Sequence, residues 1–138
     1  MGDEAKGQEG APVKHKVAEL EGESLDLAVA KAQGAAIEHA NFGRGWMVGV
    51  PGINGARVVG LPPSSSMAYA PSVLWAQGGP IIEREQIRLE PFSIGGLLEW
   101  RAHSRKHPSV GPIVGLTPLI AAMRAVVVAK LGAEVELP

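Results

Sequence analysis

The sequence predicts an α+β domain in which a small antiparallel or mixed sheet packs against two main helices. Three observations point there. Two segments, near 23–33 and 118–131, repeat their apolar residues at helical spacing. Short β-compatible runs broken by Gly and Pro lie between them. The outermost segments, KHKVAEL at 14–20 and EVEL at 134–137, would set lysines opposite glutamates if they paired in one sheet.

The elements follow in order. MGDEAKGQEGAP, at 1–12, has no apolar core and is expected not to be a signal peptide. Its composition predicts a flexible tail over 1–13, with one domain over 14–138. Lys14 to Leu20 predicts a short edge strand, and Glu21-Gly22 breaks it. Leu25, Ala28, Val29 and Ala32 then form one helical stripe, with Glu23 and Asp26 early, Lys31 late, and Gly34 placed to end it. Met47–Val50 and Arg57–Leu61 predict strands around the turn-like PGING. LPPSSS, at 61–66, predicts a loop. The Gly78-Gly79-Pro80 run is expected to turn the chain into one or two strands over Ile81–Glu90, and Leu97–Arg101 to include a helical turn. The last helix is signalled at both ends: Thr117 as N-cap, Pro118 at the first helical position and Gly132 as terminator. Leu119, Ile120, Met123, Val126, Val127 and Leu131 supply its buried face, leaving Arg124 and Lys130 to face water.

Composition removes several chemistries. The 138 residues contain no cysteine, which excludes a disulfide scaffold, a cysteine nucleophile and a thiolate metal site. Thirteen basic against fourteen acidic residues give a formal charge of -1, which disfavours bulk electrostatic binding of nucleic acid. No apolar run is long enough for a membrane span. Seven of the 18 glycines and five of the 11 prolines lie in the stretch from Gly45 to Ile82, where Arg57 is the one charged residue.

Three blocks stand out in order: VAELEGESLDLAVAKAQG at 17–34, YAPSVLWAQGGPIIERE at 69–85, and GLTPLIAAMRAVVVAKLGAEVELP at 115–138. Together they resemble the NinX family of small phage and prophage proteins, over about 14–138. The family often has an aromatic residue where this chain has Leu27, and 41–67 and 91–111 match it less well. The resemblance implies a phage or prophage setting and residence in the bacterial host cytoplasm. It implies no catalytic mechanism.

Candidate chemistry is localised. Tyr69, Ser72, Trp75, Gln77 and Arg84 form a polar-aromatic block. The two aromatics could flank a planar or apolar group while Ser, Gln and Arg fix its polar atoms; alternatively the aromatics complete a core short of large residues. The block is the expected recognition surface for a phage or host protein, and an exposed aromatic patch would equally serve a homo-oligomer. Glu83 and Glu85 would share a face on a strand and could act as acid and base in a small hydrolase, although no nucleophile or third ligand accompanies them. Arg101, Arg105 and Lys106 form a basic loop able to contact phosphate, with Trp100 beside it, but no recognition-helix motif. His103 and His107, four apart, could share a metal on a helix, but Pro108 and the absence of a HExxH pattern disfavour it. Ser64–Ser66 lack a nucleophile-elbow context and the glycines of 43–55 form no phosphate loop. No metal or cofactor is expected.

Overall fold

The computed structural model describes residues 12–40 and 45–138. The expected tail falls outside the described residues except for Pro12 and Val13, and Val13 already opens the first strand. The strands are β1 (Val13–Lys16), β2 (Ala36–His39), β3 (Trp46–Gly49), β4 (Arg57–Val59), β5 (Ile87–Ile94), β6 (Leu97–Ser104), β7 (Ile113–Gly115) and β8 (Glu134–Leu137). The helices are α1 (Gly22–Ala32), α2 (Trp75–Glu85) and α3 (Pro118–Leu131), and a 3-10 turn covers Val17–Glu19. The class is α+β as predicted. The sheet, however, is divided into three small antiparallel ones, ordered β1-β8, β2-β3-β4 and β5-β6-β7.

The outer pair forms in the predicted way. Lys14 faces Glu136 and Lys16 faces Glu134 across β1 and β8. Val135 and Leu137 alternate with those glutamates and are buried, so one face of β8 enters the core while the other carries charge. The expected strand over 14–20 is shorter than predicted: after Lys16 the chain turns so that Val17 and Leu20 also enter the core.

Helix α1 buries six consecutive residues, Leu25 to Ala30, because it is covered on more than one side, by α3 and by strands β8 and β4. It closes with two backbone bonds, Gly34 N–H to the Lys31 carbonyl and Ala35 N–H to the Ala30 carbonyl, both 3.0 Å. That closure requires a left-handed residue, and Gly34 supplies it at φ +80°. β2 follows directly, a strand that weak local alternation concealed.

Helix α3 is the hub. It packs on β5, β6 and β7, on α1, and on α2, and seven of its residues are buried. Its ends match the sequence reading: Thr117 Oγ1 accepts from Ile120 N–H at 3.1 Å and Pro118 stands in the first turn. Arg124 differs from expectation. It is half-buried, and Nε donates to the Leu20 carbonyl at 2.8 Å while Nη1 donates to that of Val114 at 2.9 Å. Burial lowers its pKa from the ordinary guanidinium value, and Glu21 opposes this. Lys130 sits 3.3 Å from the buried Glu85 carboxylate.

The largest corrections lie between 75 and 104. Gly78-Gly79-Pro80 is not a turn into strands; it lies inside α2, which runs through Ile81–Glu85. A β-carbon on Gly78 would stand 2.5 Å from the Pro71 carbonyl oxygen and 2.6 Å from Leu119 Cδ2. The glycine therefore lets α2 press against the preceding segment and α3, and this packing outweighs the weak local helix propensity. Gln86 ends the helix at φ 55°, and only then does β5 begin. Leu97–Arg101 contains no helical turn; it belongs to β6, paired residue for residue with β5. Among the described residues, no helix is long and apolar enough to cross a membrane.

Candidate functional site

The Tyr69–Arg84 block divides into an inner and an outer part. The inner part begins at β4. Val58 N–H donates to the Met67 carbonyl at 2.7 Å, and Tyr69 N–H donates to the Val58 carbonyl at 2.9 Å. This parallel bridge draws Tyr69 into the core, where it is 1% exposed. On the other side of the same segment, the Gln77 amide takes the place of a neighbouring strand. Its Oε1 accepts from Ala70 N–H at 2.6 Å and its Nε2 donates to the Ala68 carbonyl at 2.8 Å. Ser72 is buried, and its N–H donates to Asp26 Oδ1 at 2.9 Å. Tyr69, Ser72 and Gln77 thus organise the fold around this segment.

The outer part is Trp75 and Arg84. Trp75 opens α2 and is 55% exposed, with Val73 exposed beside it. Arg84 lies further along the helix, with Nη2 donating to Gln33 Oε1 and Nε 3.5 Å from Glu85. Tyr69 and Trp75 do not flank a common space, since one is inside and the other outside.

Beside Tyr69 and Gln77 lies a cleft of about 470 Å³. Tyr69, Gln77 and Arg84 line it from α2 and the segment before it; Gln33 lines it from the end of α1; Ile53 and Arg57 line it from the β3–β4 connection and β4. Trp75 and Ser72 do not. Tyr69 and Gln33 of this lining each carry a buried donor, Oη and Nε2, with no hydrogen-bond partner among the described residues. Burial raises the Asp26 pKa to about 6, against the bond from the Ser72 N–H. Burial, and then the Asp26 charge, push the Tyr69 hydroxyl well above the usual phenol range, while Arg84 pulls the other way.

Sequence reasoning missed Asp26, Gln33 and Arg57 as members of this region. Arg57 carried a signal, as the one charged residue in a long uncharged stretch. Asp26 and Gln33 carried none beyond their places on a helix.

The paired-carboxylate arrangement does not form. On a helix, residues two apart point to different sides: Glu83 is exposed and Glu85 is buried, the latter between Arg84 and Lys130. The basic loop is also rearranged. Arg101 lies in β6, not in a loop, with its guanidinium carbon 4.1 Å from the Phe92 ring centroid and Glu90 opposite on β5. Arg105 and Lys106 are exposed in the segment after the strand. Trp100 packs against the core. His103 is in β6, 3.0 Å from Glu90, and His107 is beyond it, its N–H bonded to Ser104 Oγ at 3.2 Å, so the two do not share a helical face.

The family model described as "Bacteriophage P22, NinX" matches residues 16–130. No curated protein matches the chain.

Proposed function

The chain belongs to the NinX family of bacteriophage proteins, and we propose that it is a phage or prophage accessory protein that binds a phage or host protein noncovalently in the bacterial cytoplasm. The observation that carries this reading is the exposure of Trp75. A tryptophan buries more apolar surface than most side chains when covered, and it is enriched at energetically dominant interface positions. Here it opens a helix anchored through Gly78 and Gln77, so it is presented on a rigid element. Exposed Val73 extends the apolar surface. The carboxylates of the hydrolase alternative point apart, and of the basic residues of the nucleic-acid alternative Arg101 sits on β6 opposite Glu90, whereas Arg105 and Lys106 lie beyond the strand.

Site-specific photocrosslinking in phage-infected cells tests the reading. A benzophenone amino acid placed at Trp75 is expected to give a discrete protein adduct, also seen from Val73 and absent from Lys106. Val73→Ala should weaken the adduct from position 75 while circular dichroism stays native. Adducts that are indistinguishable between positions 75 and 106, or none from 75, would overturn the proposal.

A further inference from the structure

The cleft behind α2 has a charge character of its own. Among the described residues, Arg57 and Arg84 are its two charged lining residues, and no carboxylate lines it. Arg84 is only partly neutralised, because Glu85 is shared with Lys130. Arg57 Nη1 donates to the Ser66 carbonyl, a neutral acceptor, and among the described residues no carboxylate forms an ion pair with it. Two guanidinium groups therefore border one cleft without a counter-charge in its lining among the described residues. Like charges in a partly enclosed site raise its affinity for an anion. The rest of the lining is mostly apolar, including Val50, Ile53, Pro80 and Ile81. The unpartnered buried donors, Tyr69 Oη and Gln33 Nε2, belong to residues of the same lining.

We propose that this cleft binds an organic anion, a carboxylate carried on an apolar body. Arg57 and Arg84 take the carboxylate, for which the planar guanidinium fork is suited. Val50, Ile53, Pro80 and Ile81 cover the body. A cleft of about 470 Å³ lies in the size range of small-molecule sites. The apolar walls favour such a ligand over a bare inorganic anion, whose hydration they could not replace. The inference goes beyond partner docking, because it does not involve Trp75. A free carboxylic acid and the carboxylate end of a partner chain would present the same chemistry.

The test uses the full chain, labelled with nitrogen-15, and 3-phenylpropionate as the probe. Saturable chemical-shift changes are expected at the Gly52, Ile53 and Ala76 amides. The neutral analogue 3-phenylpropionamide, and inorganic phosphate, should bind at least tenfold more weakly. Arg57→Gln and Arg84→Gln should each lose most of the binding, whereas Arg101→Gln should bind as the unmodified chain does. Arg57→Gln alone decides the matter if Arg84→Gln loses its native spectrum. A short peptide ending in Phe separates the sources. Tighter binding of its free acid than of 3-phenylpropionate assigns the anion to a chain end, and the reverse order assigns it to a free acid. Equal binding of acid and amide, changes centred on 101–106, no saturation, or full binding by folded Arg57→Gln would each overturn the proposal. Such a failure, with the Trp75 adduct retained, would leave the docking reading standing.

Discussion

At the scale of single residues, the buried polar groups around Tyr69 carry the sharpest consequences. Asp26 is 4% exposed and its pKa is raised from 3.8 to about 6 by burial. The folded state therefore holds the proton more tightly than the unfolded chain. This stabilising contribution is fully present below about pH 4 and is lost as pH rises through about 6. Each tenfold change in proton affinity is worth ~1.4 kcal/mol, so the ionised carboxylate costs roughly 3 kcal/mol at neutral pH. Asp26→Asn keeps an oxygen for the Ser72 N–H and removes the charge. It should raise stability by about 1–3 kcal/mol at pH 7.5 and give little or no gain at pH 4, measured by urea unfolding at both values. A gain at pH 4 that exceeds the gain at 7.5 would contradict the assignment. Gln77 makes a different prediction. Truncation to Ala leaves the Ala68 carbonyl and the Ala70 N–H without their partner, so Gln77→Ala should cost roughly 2–6 kcal/mol, two groups at 1–3 each. Gln77→Glu restores only the acceptor and should still be destabilised. Thermal unfolding of the pair reads this directly, and wild-type stability in Gln77→Ala would show that water replaces the amide.

At the scale of elements, the helix ends of α1 and α3 were legible because caps are local. Thr117 bonds a backbone N–H three residues on, Pro118 has no N–H to leave unsatisfied, and Gly34 takes a φ that other residues avoid. Thr117→Ala should accordingly lower stability by about 1 kcal/mol, with helical circular dichroism otherwise retained before unfolding. Helix α2 was illegible for the opposite reason. Two glycines and a proline in one turn have poor helix propensity, and the packing that overcomes it comes from residues distant in sequence. The two glycines separate these effects. Gly78→Ala forces a β-carbon against a backbone oxygen at 2.5 Å and should cost about 1–3 kcal/mol. A β-carbon on Gly79 meets nothing within 4 Å, so Gly79→Ala should stabilise by up to about 1 kcal/mol. Equal effects in differential scanning calorimetry would mean that α2 does not press on Pro71 and Leu119. β5 and β6 were obscured by their mixed pattern: one face carries Arg88, Glu90, Phe92, Glu99 and Arg101, whose alternation shows only once the register between the strands is known.

At the scale of the whole molecule, β1 and β8 tie together segments more than a hundred residues apart, and β8 seats Val135 and Leu137 in the same core as Leu25 and Val126. Deleting 133–138 should remove roughly 3–6 kcal/mol of apolar burial, two side chains at 1.5–3 each. The melting temperature should fall by on the order of 10 °C, and a truncated chain melting at the original temperature would show that β8 is peripheral to folding. The charge alternation that predicted this pairing is a property of two short strings of residues, so the sequence by itself determined it, together with the α+β class, the caps of α1 and α3, the phage family and the absence of thiol chemistry. The tertiary structure alone decided the rest. It turned Gly78-Gly79-Pro80 into helix, split the Glu83 and Glu85 carboxylates, buried Tyr69, left Trp75 outside, and brought Gln33, Arg57 and Arg84 to one cleft. Caps and alternation depend on neighbours within a few residues, whereas burial and the meeting of distant cations depend on contacts that exist only after the chain has closed on itself.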